Sequence, residues 1–116
     1  MRHRVNKKTL DRKKAPREAL LSNLACQLVL YEKISTTQAK AKVLRPIVEK
    51  MITRAKKDTL ANRRLLLSRL PIKKAVKKLF EVHGPKYSER AGGYLRITKT
   101  GTRKGDGAEI ANIEFV

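Results

Sequence analysis

The sequence predicts an α+β domain, with helices packed on a small mixed sheet and an extended basic arm in front. Three observations carry this. Apolar residues recur at helical spacing in four separate stretches between residues 16 and 83. β-Branched and alternating runs are confined to "KIST" at 33–36 and to the last twenty-odd residues. The order is therefore helix, short strand, three helices, two strands, which segregates strands from helices.

Residues 1–15 have no apolar periodicity and read as an arm without fixed structure until it meets a partner. Residues 16–116 read as one compact domain. Pro16 suits the first turn of a helix. Leu20, Leu21, Leu24, Leu28 and Tyr31 then mark one face of it. The short strand "KIST" follows, and Thr36 or Thr37 can cap the second helix by accepting a backbone N–H bond. Leu44, Ile47, Val48, Met51, Ile52 and Ala55 form the apolar face of that helix. Pro46 lies inside it and is expected to kink it or break it near Leu44–Arg45. Asp58 is the expected N-cap of "TLANRRLLLSRL". Pro71 is expected to start the next helix, "PIKKAVKKLFEVH", and Gly84-Pro85 to end it. "KYSERAGG" reads as a loop or short helical turn. Strands are expected at 94–100 and 108–116, joined by the hairpin loop "GTRKGDG".

Charge dominates the composition. The 116 residues include 29 Lys and Arg against 10 Asp and Glu, a net charge of +19. That excess destabilises a compact chain by self-repulsion, which a dense polyanion relieves. Nucleic acid is the first candidate and an anionic membrane the second. The run "ALLSNLACQLVL" follows the basic arm as a signal peptide's apolar region would, but Ser22, Asn23 and Gln27 interrupt it. The arm lacks the apolar anchors a membrane-surface segment needs. Cys26 is the lone cysteine, so no internal disulfide forms and a reducing cytoplasm is the simplest setting.

Nothing in the chain has a catalytic or metal-binding pattern. His3, His83 and Cys26 have no ligand spacing, the carboxylates form no motif, and no phosphate-loop or nucleophile signature occurs. The expectation is a protein without enzymatic activity, cofactor, metal or small-molecule substrate.

Three basic groups carry the functional reading. The arm supplies Arg2, Arg4, Lys7, Lys8, Arg12, Lys13 and Lys14, each able to neutralise a phosphate and release a counterion. The helices carry Lys40, Lys42, Lys56, Lys57, Arg63, Arg64, Lys73, Lys74, Lys77 and Lys78, for the most part an ordinary solvated face. The stretch "ERAGGYLRITKTGTRKGDG" combines Gly92-Gly93, where backbone can approach a phosphate, with Arg90, Arg96, Lys99, Arg103 and Lys104. Aromatic residues are few, so base stacking is disfavoured against recognition of backbone and shape. A nucleoid-type DNA-binding protein is the rival reading, but no recognition helix or dimer interface is marked.

"MRHR", "TTQAKAKVLRPIVEKMITRAKK", "ANRRL" and "RAGGYLRITKTGTRKGDGA" together closely resemble the family of the seventeenth protein of the bacterial large ribosomal subunit, from Met1 to Val116. The resemblance implies a structural protein that binds large-subunit ribosomal RNA on the solvent side, near the exit of the nascent-peptide tunnel, beside other ribosomal proteins. It implies RNA contact by Arg2, His3 and Arg4 of the family's opening. Leu10, Arg12 and Arg17 also match, Arg17 being the arginine that begins the first helix. Thr36, Thr37, Lys40, Ala41 and Lys42 match the start of the second helix. Arg90, Gly92, Gly93, Tyr94 and Arg96 match the diagnostic turn and strand, and Gly105 to Ala108 the second loop. The chain departs from the family at "VNKK" and at Pro16, where a histidine is common. A start at "MRHR" favours a bacterial cytoplasm over an organelle.

Overall fold

The computed structural model of the chain describes Leu10 and residues 12–116. Most of the expected arm, including Arg2, His3, Arg4, Lys7 and Lys8, lies outside the described residues.

Helix α1 (Lys14–Tyr31) begins two residues before Pro16. The first intrahelical bond runs from Arg17 N to Lys13 O (3.0 Å), so Pro16 occupies a first-turn position whose N–H has no partner to lose. Leu21, Ala25, Cys26, Leu28 and Val29 form its buried face. Tyr31, expected on that face, is 73% exposed. The buried stripe runs through Leu21, Ala25, Leu28 and Val29, a helical spacing that leaves Tyr31 to one side. Glu32 then stops the helix in a left-handed conformation (φ 65°).

Strand β1 (Lys33–Thr37) leads directly into α2 (Gln38–Ala55). Thr37 caps α2 through its side-chain oxygen, which accepts from Lys40 N (3.4 Å). No break occurs at Leu44–Arg45, and α2 continues through Pro46. The N–H that proline removes would bond the Lys42 carbonyl; both residues are on the exposed side, where water can satisfy it.

Helix α3 (Leu60–Arg69) is capped by Thr59, whose hydroxyl accepts from Asn62 N (3.2 Å), and not by Asp58. Asp58 is instead held bidentately by Arg63, at 2.5 and 2.8 Å. That pairing takes both carboxylate oxygens away from the cap. Asn62 Nδ2 donates to the carbonyls of Arg54 and Lys57, tying α3 to the end of α2.

Helix α4 (Lys73–Lys78) starts after Pro71, with Ile72 at its cap. It does not end at Gly84-Pro85. It widens into a π-helical turn (Leu79–His83) and closes with a last turn, Gly84–Lys86. Gly84 is helical here, and its role is close approach: a Cβ on it would lie 2.5 Å from the Ala55 carbonyl oxygen of α2.

Strands β2 (Leu95–Thr102) and β3 (Glu109–Phe115) form a hairpin. The sheet order is β1-β3-β2 and every pairing is antiparallel. The expectation of a mixed sheet is corrected by β3, which inserts between β1 and β2 and keeps those two codirectional strands from touching. Ile34, Ile113 and Ile97 align across the three strands and face the helices. Lys33, Glu114 and Arg96 align one step away, and the alternation of a strand turns them to the opposite face. The core joins Leu28, Leu44, Val48, Ile52, Leu66 and Leu79 of the helices to Tyr94, Leu95 and Ile113.

Candidate nucleic-acid interface

Four basic regions can be located. At the base of the arm, Arg12, Lys13 and Lys14 are exposed and Arg17 is half-buried one turn into α1. The first turn of α1 holds no acid. These cations sit at the positive end of the helix dipole, and none of them has a carboxylate within 4.0 Å among the described residues.

At the start of α2, the Thr37 hydroxyl is committed to the cap, Lys40 is half-buried and Lys42 is exposed. With the Gln38 amide oriented to satisfy both its atoms, its nitrogen donates to Glu109 and its oxygen accepts from Lys42 Nζ (3.3 Å). This ties the α2 N-terminus to β3 and fixes where Lys42 stands.

The turn before β2 is built from inside. Tyr94 is 1% exposed. Its hydroxyl donates to the Arg90 carbonyl (3.2 Å) and lies 3.3 Å from Thr53 Oγ1 of α2. Its ring packs on Tyr87 (centroids 5.1 Å apart), with Lys56 Nζ 4.8 Å from its centroid. Lys56 also donates to the Arg90 carbonyl. Arg90 Nε donates to Gly92 O (3.1 Å), and Gly93 takes φ +64°, a left-handed value suited to glycine. The turn thus presents the Arg90 side chain and the Gly92-Gly93 backbone outward, while Tyr94 holds them from within.

Beyond it, Arg96, Lys99, Arg103 and Lys104 are exposed along β2 and its hairpin loop. Arg103 forms a two-bond pair with Asp106 (3.0 and 2.5 Å), and Ala108 N donates to the same carboxylate (3.1 Å). The Arg103 bond first, and the Ala108 N–H second, hold the Asp106 carboxyl well below the usual carboxylate range. Arg103 therefore shapes the loop, while Arg96, Lys99 and Lys104 have no carboxylate within 4.0 Å among the described residues.

Lys50, Arg54 and Arg69, outside the three basic groups that the sequence marks, flank a cavity of about 660 Å³ beside Ala91 and Gly92. Lys50 and Arg54 are four apart on the polar side of α2, a signal that says only that they share a face. Their meeting with Arg69 and the glycine turn is a product of packing.

The described residues hold no cluster of three potential metal ligands. Cys26 is buried, and burial pushes its thiol up. His83 is buried with its Nε2 3.1 Å from the Val29 carbonyl, which can only accept, so Nε2 carries the proton. Nδ1 has no partner among the described residues, and the ring stacks on Phe115 with centroids 4.0 Å apart. None of the described helices is long and apolar enough to cross a membrane.

The family model described as Ribosomal protein L17 matches residues 20–116. The chain is 53% identical over 117 residues to the large ribosomal subunit protein bL17 of Hydrogenobaculum sp. (strain Y04AAS1), covering all of this chain and 99% of that one. It is 49% identical over 116 residues to the protein of that name from Rickettsia bellii (strain OSU 85-389), covering all of this chain and 82% of the relative. The protein of that name from Rickettsia typhi (strain ATCC VR-144 / Wilmington) is likewise 49% identical, with 85% of it covered.

Proposed function

The chain belongs to the ribosomal protein L17 family, and from that premise we propose that it binds large-subunit ribosomal RNA by neutralising phosphates and fitting RNA shape. Membership makes it a structural, non-enzymatic component of the large ribosomal subunit. The RNA reading adds the mechanism.

The observation that carries it is how little of the positive charge is satisfied internally. Among the described residues, carboxylates within 4.0 Å hold only Arg45, Arg63, Lys78 and Arg103. The net charge is +19, and the unpaired cations that cluster at the segments named next suit an external polyanion, while Arg64, Lys74 and Lys77 read as an ordinary solvated face. The arm (Arg2, His3, Arg4, Lys7, Lys8, Arg12, Lys13, Lys14), Arg17, Lys40, Lys42, the Arg90–Gly93 turn, Arg96, Lys99 and Lys104 supply the contacts. Thr37, Tyr94 and Arg103 act mainly by fixing the segments that carry them. Contacts to phosphate and sugar outnumber those to base edges, because the groove of an RNA helix that carries most base information is too narrow for side chains.

The proposed position is the solvent side of the subunit near the nascent-peptide tunnel exit, beside other large-subunit proteins, in the cytoplasm. Family resemblance supports this position. Sedimentation of native lysate tests the reading. The chain is expected to co-migrate with large subunits at low salt and to be stripped as salt rises; recovery with chromosomal DNA or membranes overturns it. Cross-linking on intact subunits tests the tunnel-exit position.

A further inference from the structure

We propose that the base of the arm and the glycine turn hold one continuous stretch of RNA backbone, which passes along a groove walled by Lys50, Arg54 and Arg69. This rests on the RNA-binding reading above and adds a path to it.

Two cavities make the groove. One, of about 540 Å³, has an apolar floor of Leu21, Ile47 and Met51 and a polar rim of Glu18 and Ser22 of α1, Ser68 and Arg69 of α3, and Lys50 of α2. The second is the cavity of about 660 Å³ beside Ala91 and Gly92, with Arg54 in its wall. Lys50 and Arg69 line both, so the two meet between these side chains. Glu18 is one turn from the first residue of α1, where the arm enters. The groove thus runs from the second turn of α1, one turn beyond the arm's base, to the glycine turn, two segments some seventy residues apart in sequence.

Its charge suits a polyanion. Lys50, Arg54 and Arg69 are exposed and have no carboxylate within 4.0 Å among the described residues. Glu49 also lines the second cavity, but Arg45 Nε holds it at 2.9 Å. Glu18 is the one other acid, at the arm end, where Lys14 and Arg17 stand close by in sequence. Ser22, Ser68 and Thr53 add hydroxyls that can meet phosphate or ribose oxygens. Tyr94 contributes to the wall of the second cavity but is only 1% exposed, so no aromatic face is free for stacking and the occupant is recognised by its phosphodiester backbone.

The test uses the full chain and large-subunit ribosomal RNA transcribed in vitro, with affinity measured against salt. Lys50→Gln, Arg54→Gln and Arg69→Gln together are expected to lower the salt slope by about 2, at roughly 0.7 per phosphate on an irregular strand. A matched set, Arg64→Gln, Lys74→Gln and Lys77→Gln, which lines neither cavity, is expected to leave it nearly unchanged. Equal losses in both sets, or none in the groove set, overturn the groove. Should the triple variant fold poorly, Lys50→Gln and Arg69→Gln singly serve, each expected to remove about 0.7. A hydroxyl-radical source tethered at Glu18→Cys and, separately, at Ala91→Cys tests continuity. Adjoining cleavage windows support one strand; windows in unrelated stretches overturn it. If removing the arm also leaves the slope unchanged, the RNA reading itself fails.

Discussion

Gly84 and Ala55 meet backbone to backbone: a Cβ at residue 84 would stand 2.5 Å from the Ala55 carbonyl oxygen and 3.2 Å from that of Leu79. Neither obstacle is a flexible side-chain end. Gly84→Ala must push α2 and the π-helical turn apart, although alanine favours helix at this φ. The expected loss is about 1–3 kcal/mol, read from the midpoint of urea unfolding.

His83 makes stability pH-dependent. Burial is the main cause of its lowered pKa; the Val29 hydrogen bond opposes this, Lys78 and Lys86 add to it, and Glu32 opposes it. The unfolded chain keeps the ordinary value near 6.5 and so binds more protons over the interval between the two. Its contribution is complete above pH 6.5 and is lost as pH falls through the lower folded value. Urea midpoints taken between pH 5 and 8 should fall on the acid side, and His83→Phe should flatten that part of the profile.

The turn should separate holding from binding. Tyr94→Phe removes the hydroxyl bond to the Arg90 carbonyl and is expected to lower stability by about 0.5–1.5 kcal/mol. Arg96→Gln touches only an exposed side chain. It should leave the melting temperature in place and lower the RNA salt slope by about 0.7–0.9. Thermal melts and salt titrations of both variants check the division.

Gly93→Ala meets no steric obstacle, since the nearest atom is Arg90 Nη2 at 3.9 Å. Any loss is then conformational, from φ +64°, and about 1–2 kcal/mol is expected. Gly93→Asn should lose less, because asparagine tolerates left-handed backbone, and comparing the two by denaturation isolates that cause.

Removing residues 2–12 leaves Lys13 O to receive the first bond of α1, from Arg17 N. The fold should survive, as judged by circular dichroism. Five cations go with the segment (Arg2, Arg4, Lys7, Lys8 and Arg12), so the RNA salt slope should drop by up to about 4.

Much of the fold was legible because its elements follow simple periods. Leu44, Val48, Met51 and Ile52 announce α2, and Ala111, Ile113 and Phe115 announce β3. The misreadings occur where two residues could do one job or one residue could do two. Asp58 and Thr59 are both good caps, and the bidentate Arg63 pairing leaves the work to Thr59. Gly84-Pro85 spells a helix stop, but the glycine is required by the approach of Ala55, a tertiary fact with no local signature. For the candidate interface, charge and motif pointed to the arm and the glycine turn. They could not reveal Lys50, Arg54 and Arg69 as companions of that turn, because three separate segments converge there only after packing.

The central position of β3 also sets an order of events during synthesis. Among the described residues, strand β1 pairs only with β3, and β2 does the same. No sheet hydrogen bond can therefore form until residues 109–115 exist. Roughly seventy residues separate β1 from β3, which at 5–20 residues per second is an interval of about 4–14 seconds. During it, α2 can pack against α1, α3 and the π-helical turn, while the part of its stripe that meets Ile113 stays open. The last of these strands to be made is the one that completes the sheet, so the helices can assemble first and the sheet closes in one late step.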